Sequence, residues 1–163
     1  ITALGTAAQR PERTCGLHFF NPVAALPLVE VVRGEATSDA TIDEAERFAQ
    51  GLGKTPVRCL DRPGFLVNRL LIPYLNEAIQ LLDEGTADAT AIDAAMTLGA
   101  NMPMGPLALA DLIGLDVVLA VMESLQTEFG DPKYRPAPLL RRRVRAGALG
   151  RKTGRGFHVY EGA

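Results

Sequence analysis

The stretch GLHFFNPVAALPLVEVV, residues 16–32, constrains this chain most. It holds two apolar runs separated by the proline-bearing NPVAALP, and each run carries one ionisable residue, His18 or Glu30. Runs rich in Phe, Leu and Val at 15–20 and 27–33, punctuated by prolines, predict two strands joined by a loop. Alternate strand side chains share a face, which puts His18 with Phe20 and Glu30 with Leu28 and Val32. A carboxylate on such a face is costly to bury unless something pairs with it. One of the chain's two histidines lies on the neighbouring strand. A Glu30–His18 pair would satisfy the carboxylate, fix the imidazole tautomer and leave the other ring nitrogen as a general base. The plainer alternative is a histidine at a wet strand end, with Glu30 on an edge facing solvent.

Beyond these strands Ser38 is a candidate N-cap, Ile42, Ala45, Ala49 and Leu52 recur at helical spacing, and Gly53 stands where a C-terminal glycine cap belongs. TPVRCL then predicts a third strand. Residues 1–60 are therefore expected to form the closing β-β-α-β portion of a mixed α/β domain. From DRPGFLVNRLLIPYLNEAIQLLDEG onward the pattern is helical, and 61–163 is expected to be a helical domain, making the chain mainly α. Asp61 is placed to cap a long helix with Pro63 in its first turn, ending before Gly85. Its apolar residues from Phe65 to Leu82 cover more than one stripe, which predicts burial by more than one neighbour, and Pro73 should bend it. Further helices are expected at about 88–98 and 107–129, and an arginine-rich one from about 138.

Composition narrows the function classes. A formal net charge of −2 gives no general attraction to nucleic acid or an anionic membrane, and no apolar run is long enough to span a bilayer. Cys15 and Cys59 show neither a disulfide framework nor metal-ligand spacing, which favours a reducing, cytoplasmic setting without a metal site. The opening ITALGTAAQRPERTC has the texture of a domain interior, as expected of a fragment. No G-x-G-x-x-G turn follows a strand. The glycines of GALGRKTGRG follow a helix instead, so a dinucleotide has no phosphate cradle in this sequence.

Five segments carry a family resemblance: HFFNP (18–22), LVEVV (28–32), DRPGFLVNRLLIPYLNEA (61–78), PMGPLALADLIGLD (103–116) and GRKTGRGFHVY (150–160). In this order they resemble the L-3-hydroxyacyl-CoA dehydrogenases, with bacterial 3-hydroxybutyryl-CoA dehydrogenases the nearest members. The resemblance implies that 1–60 closes a Rossmann-type NAD-binding domain whose glycine-rich half is missing, and that 61–163 is an all-helical substrate and homodimerisation domain. It implies NAD as cofactor, bound mainly by residues absent here, and an acyl-CoA substrate. His18 matches the catalytic histidine that takes the 3-hydroxyl proton, and Glu30 its carboxylate partner. Asn21 and Asn68 match polar residues near the reacting end of the substrate, Asn68 also facing the nicotinamide. Met104, in the rigid turn NMPMGP, is a candidate for lining an acyl pocket, with core packing the equal alternative. Seven basic residues between Arg141 and Arg155 suggest either a solvated face or contact with the coenzyme A nucleotide. His158 has no matching catalytic role and is expected to be structural. The chain alone is expected to be inactive. The alternatives are a non-catalytic dimerisation module, or one domain of a multifunctional fatty-acid oxidation protein.

Overall fold

A computed structural model describes residues 1–161. Residues 162 and 163 of the expected helical domain lie outside the described residues. The chain divides into two compact units, Ile1–Leu66 and Val67–Ala163.

The first unit opens with a short helix, α1 (Thr2–Ala7), which the sequence pattern did not indicate. It is followed by β1 (Cys15–Phe19), β2 (Leu28–Arg33), α2 (Asp39–Gly51) and β3 (Thr55–Leu60). The β-β-α-β order expected over 1–60 is therefore present, in a three-stranded sheet of order β1-β2-β3. β1 runs antiparallel to β2, and β2 parallel to β3 across the α2 crossover. β2 is central, and Val29, Glu30, Val31 and Val32 have no exposed surface. Ser38 caps α2, its Oγ accepting from the Thr41 amide at 3.3 Å, and Gly53 follows the helix with φ 72°. The α2 residues Ile42 and Ala45 pack on Val31, Cys15 and Leu17. This leaves the opposite face to Gly16, His18, Glu30 and Val32. Ile1 lies against Gly16, where an added Cβ would come within 2.6 Å of the isoleucine side chain.

The segment 61–66 corrects the expected helix start. Asp61 does not cap a helix: its Oδ2 accepts from the Thr2 amide at 2.7 Å and the Ile1 amino group at 2.9 Å. Pro63 and Gly64 belong to a turn closed by the Phe65 amide donating to the Arg62 carbonyl at 2.9 Å, and Gly64 and Phe65 both have positive φ. Such values end any helical path, so α3 begins at Val67 and runs to Asp83.

The second unit contains α3, α4 (Ala89–Ala94) continued by a π-helical stretch at Ala95–Gly99, α5 (Pro106–Ile113), α6 (Leu115–Phe129) and α7 (Pro138–Arg145). The single helix expected over 107–129 is two, because Gly114 takes φ 103° between them. Ile72, Leu75 and Ile79 of α3, three and four residues apart, pack with Leu107, Leu115, Val118, Met122 and Leu140 from α5, α6 and α7. Asn76 lies inside this core. Its Oδ1 accepts from the Ala137 amide at 2.8 Å, and its Nδ2 donates to the Arg135 carbonyl at 3.1 Å.

FHVY is not a regular strand; it makes only an isolated bridge between Arg155 and Val159. The segment is held instead by Asp111, whose carboxylate accepts from the amides of Phe157 and His158 and from the Tyr160 hydroxyl. Asp93 accepts from the Leu107 and Ala108 amides at the start of α5 and pairs with His158 Nε2 at 2.8 Å, a structural placement for that histidine. In the basic run, Arg141 pairs with Glu123, Arg142 with Asp83 and Lys152 with Asp116, so much of its charge is balanced within the unit. Among the described residues no helix is long and apolar enough to cross a membrane.

Candidate active site

The antiparallel register sets His18 directly opposite Glu30. Their side chains meet on the sheet face opposite α2, with Nδ1 2.6 Å from Oε2. Glu30 is fully buried, while the His18 side chain keeps 32% exposure, so the pair is dry at the carboxylate and open at the imidazole. A carboxylate only accepts hydrogen bonds, so with Glu30 in that form Nδ1 would donate across this contact and Nε2 would be left as the basic nitrogen. The other carboxylate oxygen, Oε1, accepts from the Leu66 amide at 3.0 Å.

Two aromatic rings pack on the imidazole. Phe20, two residues on and just past the end of β1, lies 4.6 Å away between centroids, on the side that strand alternation predicts. Phe65 lies 5.5 Å away and was not recognisable as a neighbour, because its apolar spacing places it on the long helix. The Pro63–Gly64 dipeptide is the local signal of the turn that brings it there.

Asn21 lies just beyond β1 in the exposed β1–β2 loop. Asn68, the second residue of α3, and Met104, before α5, belong to the second unit, and both are half-buried. An apolar cavity of about 310 Å³ in the first unit is lined by residues that include Gly5, Pro11, Gly34 and Thr37, and not by His18 or Glu30. Neither thiol is poised as a nucleophile. Burial, then the charges of Glu30 and Asp61, push the Cys59 thiol up to about 11, and burial with Glu44 raises Cys15. Among the described residues no cluster of His, Cys, Asp or Glu could hold a metal ion.

A dinucleotide cradle requires free backbone amides where a strand turns into a helix. The β2–α2 turn is such a connection, but several of its donors are already used. Gly34 N–H donates to Thr37 Oγ1, Glu35 N–H to Thr2 Oγ1, and Ser38 N–H to the Glu12 carbonyl. This turn does not fit a pyrophosphate.

Two family models match consecutive stretches: the 3-hydroxyacyl-CoA dehydrogenase NAD-binding domain over residues 1–62, and the C-terminal domain of the same family over 64–160. A probable 3-hydroxybutyryl-CoA dehydrogenase of Deinococcus radiodurans is 58% identical over 160 residues, covering 98% of this chain and 58% of that protein. The human mitochondrial hydroxyacyl-coenzyme A dehydrogenase is 45% identical over 162 residues, covering 99% of this chain and 52% of that protein. The crystal structure of the (S)-3-hydroxybutyryl-CoA dehydrogenase of Ralstonia eutropha matches with a TM-score of 0.97 and 56% identity, covering 99% of this chain and 57% of that one. The chain thus spans little more than half the length of these relatives. With both stretches matched in order, the chain belongs to the 3-hydroxyacyl-CoA dehydrogenase family.

Proposed function

We propose that this chain supplies the proton-transfer centre and the helical acyl-CoA-binding unit of an enzyme that reversibly oxidises L-3-hydroxyacyl-CoA, such as 3-hydroxybutyryl-CoA, to the 3-oxoacyl-CoA, with NAD as hydride acceptor. The observation that carries this reading is the 2.6 Å contact between a half-exposed imidazole and a fully buried carboxylate, within a chain of this family. His18 Nε2 takes the 3-hydroxyl proton during oxidation and returns it during reduction. Glu30 holds the Nδ1 proton, orients the ring and stabilises the imidazolium that forms. Asn21 and Asn68 would hydrogen-bond the substrate oxygen in either oxidation state, since an amide both donates and accepts. Met104 would line the acyl group. The hydride acceptor would be seated by residues outside this chain, in keeping with the occupied amides of the β2–α2 turn.

The complete protein should produce NADH absorbance when L-3-hydroxybutyryl-CoA and NAD are supplied, and little with the D isomer. Absence of turnover with L-3-hydroxyacyl-CoAs of short and long chain would refute this assignment.

A further inference from the structure

We propose that the turn Gly64–Phe65–Leu66 is a positioning device that holds the His18–Glu30 pair in one tautomer and one orientation. The inference rests on the functional reading above and adds Phe65 as a positioning residue.

Two observations converge on this turn. Its backbone is strained: Phe65 has φ 46°, a left-handed value that a bulky side chain rarely adopts, directly after Gly64 at φ 78°. Glycine or asparagine would occupy that conformation with less strain, so a phenylalanine there requires a compensating contact. Its ring supplies one by lying 5.5 Å from the His18 imidazole.

The second observation is the hydrogen bond that follows. The path through Gly64 and Phe65 brings the Leu66 N–H to Glu30 Oε1 at 3.0 Å, while Oε2 holds His18 Nδ1 at 2.6 Å. A carboxylate held at both oxygens is restrained from rotating. The imidazole, with Phe20 and Phe65 packed on it, is restrained from turning its Nδ1–H away. Thus one short turn acts on both members of the pair, through its backbone on Glu30 and its side chain on His18. A sub-ångström loss of alignment at a proton-transfer group lowers kcat more than it weakens substrate binding.

The test uses two readouts. In this chain, long-range proton–nitrogen spectra of the imidazoles, assigned with a His158→Asn control, should show wild-type His18 as a single Nδ1–H form. Phe65→Gly, which accepts the same φ without the ring, should show a mixture of tautomers, and Phe65→Tyr should keep the single form. In the complete protein, Phe65→Gly should lower kcat about tenfold with KM for the acyl-CoA changed less than about twofold, and Phe65→Tyr should restore it. If Phe65→Gly loses its dispersed amide spectrum, Phe65→Leu, which keeps the bulk but not the flat ring, carries the same test. A single Nδ1–H form without the phenyl ring would overturn the proposal whatever the turnover. Mixed tautomers with unchanged kcat would leave the turn's hold on His18 standing and instead remove the catalytic reading of the pair.

Discussion

His18 and Glu30 occupy directly opposed positions on β1 and β2, and this register is what joins them. A one-residue slip of either strand would send its side chain to the α2 face, among Val31, Ile42 and Ala45. The valines around Glu30 therefore do more than fill a core, because they specify the pairing that keeps a buried carboxylate opposite its only imidazole partner on the sheet.

Asn76 ties α3 to the segment leading into α7 through both ends of its amide. Asn76→Ala would leave a buried Ala137 N–H and the Arg135 carbonyl without these partners. Urea denaturation should show a loss of roughly 2–4 kcal/mol. A change below about 0.5 kcal/mol would mean that water replaces both bonds.

Tyr160 donates its hydroxyl proton to Asp111 at 3.0 Å, and burial together with this bond pushes its pKa up to about 12. A raised folded-state pKa means that stability is present below the unfolded value, about 10, and is lost as pH rises through 12. Tyr160→Phe should be less stable than wild type at pH 7, and the gap should close between about pH 10 and 12. A gap that persists at pH 12 would contradict this coupling.

Leu70 is 75% exposed on α3, whereas Leu75, five residues on, is fully buried in the core of its unit. An exposed leucine on a helix already packed on its other side is consistent with homodimerisation through the helical unit. Light scattering should give a dimer mass for wild type, with Leu70→Glu shifting the equilibrium toward monomer by about tenfold or more. A strict monomer at high concentration would contradict the proposed assembly.

Calorimetric titration of this chain with NAD should show no micromolar binding and no NADH formation with 3-hydroxybutyryl-CoA, because the Gly34 and Glu35 amides of its β2–α2 turn are taken. Tight binding would place the cofactor site within these residues.

The parts legible in the sequence were those set by local periodicity. Strand alternation and a short loop sufficed to bring Glu30 toward His18, and Ser38 and Gly53 mark the ends of α2 through backbone rules that act within a few residues. The parts that escaped depend on distant partners. Asp61 has the spacing of a helix cap, but its carboxylate is claimed by Thr2, 59 residues away. Phe65 continues an apolar helical stripe in one dimension, but the positive φ at Gly64 removes it from the helix and places it against His18. Asp111 looks like an ordinary surface carboxylate until the tail folds back and supplies amides 46 and 47 residues further on, and Asp93 does so until α5 supplies two amides and the tail the His158 ring.

The central claim is that His18 and Glu30 act together as the proton-transfer pair. It is tested most directly by steady-state oxidation of L-3-hydroxybutyryl-CoA in the complete protein carrying His18→Ala, Glu30→Gln or both. The account predicts that each single change lowers kcat by about 10²- to 10⁴-fold, with acyl-CoA binding nearly unchanged. The double change should cost little more than the larger single one, since the two residues work as a unit. Wild-type turnover in either single variant would contradict it.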